Sequence, residues 1–210
     1  MRPHLSPNWI GTGMKSTFPH LLLQHAGERP DAAALREKEY GIWQTWSWRE
    51  AATEVRQMAC GLLTLGFERG QNLAFVSDNR PHLYLGFVAV QSVGGVPIPL
   101  YQDAVASEMI FVMEDAEIAF AFAENQEQVD KLLEVRESVP SIRHIIYDDP
   151  RGLRKYDQPG LISTADLMAK GAEWDLEHPG EWAKLVDPIR PDDVSVILYT
   201  SGTTGNPKDV

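Results

Sequence analysis

Four apolar runs rich in β-formers, Leu73–Val76, Val96–Leu100, Ile118–Phe122 and His144–Tyr147, recur about every two dozen residues. That interval accommodates one strand plus the crossover helix that parallel pairing requires. Helices fit the gaps. Pro81 to Val93 is apolar on most sides and Ser107 to Glu114 is similar. Asn125 can cap a third helix, with Gln128 at the capping-box position and Val129, Leu132 and Leu133 facing inward. The rhythm predicts an α/β fold, helices layered on a largely parallel sheet.

Upstream of that rhythm the chain reads differently. Residues 1–16 form an N-terminal arm. Thr17 is a candidate cap for a helix that has Pro19 in its first turn and carries Leu21, Leu22 and Leu23 as far as Gly27. Ala32 to Arg36 and Ile42 to Trp46 read as a short β-hairpin around Tyr40-Gly41. Trp43, Trp46 and Trp48 are expected to wedge it onto the body. Ser47-Trp48-Arg49-Glu50 is a capping box opening a helix with Ala51, Val55, Met58, Ala59, Leu62 and Leu63 on one face, ended by Gly66. Later, Asp148 to Pro159 reads as a surface loop. Ser163 is a cap for a short helix to Lys170, and residues 180–185 form part of another. Pro188–Asp193 (PIRPDD) breaks structure. The chain therefore divides into an arm (1–16), an α/β subdomain (17–190), and a strand and loop opening the next subdomain (191–210).

Composition narrows the partners. A formal net charge of −11 argues against non-specific binding to nucleic acid or to an anionic membrane. Cys60 is the only cysteine, so no intrachain disulfide forms, and a buried, inert thiol is expected. The first residues, MRPHLSPNWIGTGMKST, lack the apolar core of a secretory signal. The uncharged stretch Leu83–Tyr101 is interrupted by Gly94-Gly95, Pro97 and Pro99, and reads as a buried helix and strand. A cytoplasmic location follows as the expectation, with peripheral membrane contact open if the substrate is a lipid.

The chemistry concentrates in Val194 to Lys208, VSVILYTSGTTGNPK. It starts with the composition of a buried strand and turns abruptly into Thr200-Ser201-Gly202-Thr203-Thr204-Gly205, followed by Pro207 and Lys208. A loop of this kind can wrap its backbone N–H groups around an anion because no side chain blocks the approach. The hydroxyls add donors and Lys208 a mobile positive charge. The spacing is not that of a Walker A loop, and there is no G-x-G-x-x-G.

YTSGTTGNPK, with the apolar run before it, resembles the phosphate loop of the adenylate-forming superfamily, which includes acyl-CoA synthetases, luciferases and peptide-synthetase adenylation domains. Gly27-Glu28-Arg29-Pro30-Asp31, the segment from Trp46 through Gly70, and Gly95-Val96-Pro97-Ile98-Pro99-Leu100-Tyr101 are similar to its long-chain acyl-CoA synthetases. The resemblance implies ATP and Mg²⁺ as cofactors and CoA and a fatty acid as co-substrates. The reaction it implies is carboxylate plus ATP to acyl-AMP and pyrophosphate, then thioester formation. It implies that Ser201, Thr203, Thr204 and the backbone at Gly202 and Gly205 meet the phosphates, that Lys208 adds charge, and that Thr200 contacts the metal. Asp209 stands where the family usually has glycine. The family's later parts would follow Val210, so the expectation is an N-terminal fragment, inactive alone, whose uncovered sheet edge favours self-association. A non-catalytic nucleotide-binding or interaction module built on the same fold is the alternative.

Other chemistry finds little support. The six histidines show no i, i+4 pair. Ser201 lacks the G-x-S-x-G elbow of a nucleophile. Glu114-Asp115 and Asp148-Asp149 read as solvated or helix-end charges.

Overall fold

The computed structural model describes residues 17–200 and, as backbone, Lys208 and Asp209. The expected arm lies outside the described residues. Helix α1 (Phe18–Glu28) leads into a hairpin of β1 (Ala33–Glu39) and β2 (Ile42–Ser47). Its turn residues Tyr40 and Gly41 both have positive φ, +47° and +82°, the conformation that matches a two-residue turn to strand twist. The Ser47–Glu50 capping box is formed and starts α2 (Trp48–Thr64). Gly66, at φ +80°, closes that helix, and the Phe67 amide donates back to the Leu62 carbonyl.

The strand rhythm folds as predicted. β3 (Asn72–Val76), β4 (Val96–Leu100), β5 (Phe120–Ala123) and β6 (His144–Tyr147) join a short β7 (Leu161–Ser163) in one parallel sheet, ordered β4-β3-β5-β6-β7. The crossovers are α3 (Pro81–Ser92), α4 (Ala106–Asp115) and α5 (Gln126–Ser138). Both sheet faces are covered, so the strands read as continuous apolar runs. Leu73 and Phe75 point into a core shared with α2, α3 and α6 (Thr164–Glu177). Ala74 and Val76 point the other way, into a core shared with α4 and α5. α6 is longer than the sequence suggested, and α7 (Glu181–Val186) follows it.

Two expectations are corrected. Of the three tryptophans, Trp46 and Trp48 hold the hairpin: Trp46 Nε1 donates to Glu54 at 3.1 Å, and Trp48 packs on His25. Trp43 is 60% exposed, with the Arg36 guanidinium over its ring. Position 43 alternates onto the solvent face of a two-stranded ribbon, where no body residue can meet it.

The second correction concerns Val194–Tyr199. This run is not a buried strand of the sheet. Val194 is 61% exposed, and only Tyr199–Thr200 is strand, β8, paired antiparallel with Lys208–Asp209, β9. The reason lies in β4. Val96 donates to the Gln71 carbonyl on the β3 side, so strand alternation turns the 98 and 100 amides inward as well. Pro97 and Pro99 then occupy the outward positions, where proline has no N–H. Beside β4, the run makes a single backbone bond, Ile197 N–H to the Pro97 carbonyl at 3.3 Å. It passes along β4 as an extended strap.

Candidate functional site

In a parallel sheet of this order, the strand direction of travel reverses between β3 and β5, and ligands commonly bind beyond the strand carboxyl ends at such a point. A cavity of about 450 Å³ lies there, roofed by the hairpin. Most of its charged side chains are engaged in ion pairs. Arg80 reaches Glu37 at 2.6 Å and Glu124 at 3.3 Å, tying the hairpin to the ends of β3 and β5. His82 Nδ1 lies 2.6 Å from Asp148 and Nε2 lies 3.3 Å from Glu54. Burial disfavours the His82 charge, but the hydrogen bond to Asp148 and the nearby Glu54 carboxylate outweigh it and raise the pKa to about 10, so the ring is held protonated. Asp149 is held by Arg151, which also reaches the Tyr40 hydroxyl. The Asp148-Asp149 pair is therefore not simply solvated charge. Ion pairs line this crevice and fasten the hairpin over it.

Ser201, Gly202, Thr203, Thr204 and Gly205 lie outside the described residues, as does Pro207. Their two ends do not: the β8–β9 register places Lys208 directly opposite Thr200, and Tyr199 opposite Asp209. An antiparallel pair at the mouth holds the ends of the loop side by side. Thr200 is exposed.

The strap reaches this hairpin by three contacts at alternate residues. Gln91 Nε2, in the last turn of α3, donates to the Ser195 carbonyl at 2.7 Å and its Oγ at 3.0 Å. Ile197 bonds Pro97 as described. The Tyr199 hydroxyl donates to Asp115 Oδ2 at 2.7 Å, at the end of α4. The strap thus begins on the α3 side of the sheet and ends on the α4 side. A cavity of about 310 Å³ opens beside its start, between Arg69, Gly94, Phe18 and Pro191. The pairings made by Gln91 and Asp115 span 104 and 84 residues, and nothing in the local sequence announces them.

Among the described residues, no group of three or more His, Cys, Asp or Glu side chains is arranged to hold a metal ion. Cys60 is buried, and burial followed by the nearby Asp175 charge pushes its thiol up to about 12. No helix among the described residues is long and apolar enough to cross a membrane.

Comparison with known proteins bears on this architecture. The family model of AMP-binding enzymes matches residues 22–210. The long-chain-fatty-acid–CoA ligase FadD15 of Mycobacterium tuberculosis is 29% identical over 208 residues, covering 99% of this chain and 33% of that protein. The long-chain-fatty-acid–CoA ligase ACSBG2 of Xenopus laevis is 26% identical over 195 residues, 92% of this chain and 26% of its own length. The chain thus spans a quarter to a third of these relatives. Among solved structures, the anthranilate CoA ligase AuaEII, in complex with anthranoyl-AMP, superposes with a TM-score of 0.75 at 18% identity, over 91% of this chain and 33% of that one. The adenylation domain of a Mycobacterium chelonae carboxylate reductase gives 0.74 at 19%, over 95% and 34%. These two likenesses are of fold.

Proposed function

Because the chain belongs to the AMP-binding enzyme family, we propose that it supplies the phosphate-holding part of an ATP-dependent acyl-CoA synthetase acting on a fatty acid. The observation that carries this is the β8–β9 register, which brings Thr200 and Lys208 together at the two ends of a loop made of hydroxyl residues and glycine. A loop closed in this way can turn successive N–H groups toward one anion.

In this reading the loop holds the β- and γ-phosphates of ATP while a carboxylate oxygen attacks the α-phosphorus. The bond from the α-phosphorus to the bridging oxygen breaks, and pyrophosphate leaves with the electron pair. The acyl group then passes from AMP to the CoA thiol. Ser201, Thr203, Thr204 and the amides at Gly202 and Gly205 donate to phosphate oxygens, and Lys208 offsets their charge. Mg²⁺, which usually binds through few protein ligands plus phosphate oxygens and water, would neutralise further charge. Thr200 fits that limited role, since its exposed position at the loop mouth leaves the hydroxyl accessible. We assign residues 17–190 to one α/β unit and 191–210 to the opening of the next, in keeping with β8 and β9 pairing only with each other. A cytoplasmic enzyme, with peripheral contact to membranes that hold its substrate, suits a fatty acid.

The test is titration of this chain with Mg·ATP by calorimetry, alongside Lys208→Ala. Binding weakened about fivefold or more by the substitution supports the reading. Equal affinity in the two proteins overturns it.

A further inference from the structure

Two residues near the strap look wrong for their local surroundings. Gln91 is only 8% exposed in a helix that is otherwise mostly apolar, and a buried amide is costly unless bonded. Asp115 is the last residue of α4, where a carboxylate opposes the helix dipole, and the last turn carries no basic residue to offset it. Neither choice serves its own helix. Residues that break a local rule point to a requirement elsewhere.

Both find partners on the strap, Gln91 through its Nε2. Gln91 holds Ser195, and Asp115 accepts from the Tyr199 hydroxyl, one residue before Thr200. Between them Ile197 is bonded to Pro97 of the sheet edge. The three contacts fall at residues 195, 197 and 199, spaced along the whole strap. They come from three different elements: α3, β4 and α4. A segment held at one point can pivot, whereas one held at three has a fixed direction.

We propose that Gln91 and Asp115 are positioning residues that fix the β8–β9 pair, and so Thr200 and Lys208 at the two ends of the hydroxyl-glycine loop, against the α/β body. This rests on the nucleotide-holding reading of that loop. Asp115 acts through Tyr199 at the mouth of the hairpin, and Gln91 through Ser195 at the root of the strap. Neither contacts the nucleotide. Their effect is on pre-organisation: a strand pair whose place is already fixed loses less freedom when an anion binds beside it.

Two measurements on Asp115→Ala, Asp115→Asn, Tyr199→Phe and the Asp115→Ala/Tyr199→Phe double variant test this. The first is amide hydrogen exchange without nucleotide, read at the β8–β9 pair and at β3 and β5. Asp115→Ala and Tyr199→Phe are each expected to speed exchange at the pair about three- to fivefold with no change in β3 and β5. Asp115→Asn, which keeps an acceptor, restores most of the protection. The second is Mg·ATP affinity, expected to fall about threefold in each single variant and no further in the double one, because both remove the same bond. Unchanged exchange at the pair, or an Asp115→Asn variant as loose as Asp115→Ala, overturns the proposal. Exchange that responds as expected in a chain that binds no Mg·ATP overturns the nucleotide reading and leaves the tether standing.

Discussion

Gly171 of α6 lies so close to Gln57 of α2 that a Cβ at position 171 would sit 1.8 Å from the Gln57 carbonyl oxygen. A Cβ added at Gly61 in the same crossing would lie 2.3 Å from the Leu167 carbonyl oxygen. The obstructing atoms are backbone, which cannot rotate aside. Gly171→Ala is therefore expected to cost about 2–4 kcal/mol, measured by urea unfolding. Gly27→Ala in α1, where a Cβ would meet nothing within 4 Å, is expected to be neutral or to stabilise by up to about 1 kcal/mol through helix propensity.

His82 makes the stability of the hairpin's attachment depend on pH. Its pKa in the fold is raised to about 10, above the ordinary value of 6.5. A raised pKa means that the folded state binds the proton more tightly. The contribution is complete below about pH 6.5 and is lost as pH rises through about 10. His82→Gln is expected to cost about 2 kcal/mol at pH 6, and the gap from the parent chain to narrow to below about 1 kcal/mol by pH 10.5. Urea unfolding of both proteins across that range checks this. A gap that widens with pH contradicts the pairing with Asp148 and Glu54.

Cys60 should not behave as an ordinary thiol. With burial holding it up to about 12, it is expected to react with Ellman's reagent at pH 8 on the order of a thousandfold more slowly than free cysteine. Full reactivity should return in 6 M guanidinium chloride.

Asp209 pairs across the hairpin from Tyr199, next to Lys208. If the loop holds phosphates, a carboxylate at this position opposes them. Asp209→Gly is expected to tighten Mg·ATP binding about three- to tenfold in calorimetry, with the larger gain at low ionic strength.

Much of the fold was legible because its signals are local. The capping box at Ser47 and Glu50, the Tyr40-Gly41 turn and the apolar runs each depend on neighbours a few positions away. β7 was missed because three residues, Leu161–Ser163, show no periodicity. Val194–Tyr199 was misread for a different reason. Its composition suits a strand, but a strand also needs donors on the edge it joins, and Pro97 and Pro99 remove them. That signal was in the sequence: two prolines at alternate positions face the same edge. Arg80, His82 and Asp148 carried no such hint, since His82 and Asp148 are 66 residues apart and meet only after the sheet is assembled. As for the strap, its contacts with Gln91 and Asp115 could not be read from residue types, because they join residues 104 and 84 positions apart.

The two prolines of β4 have an architectural consequence. They act as a selvage: a neighbour finds carbonyls to donate to but no amide to receive from, so the weave cannot be widened on that side. Chain arriving there must begin a fabric of its own, as Tyr199–Thr200 does with Lys208–Asp209. Thr200 and Lys208 therefore belong to a second sheet that starts at this border rather than to an extension of the first.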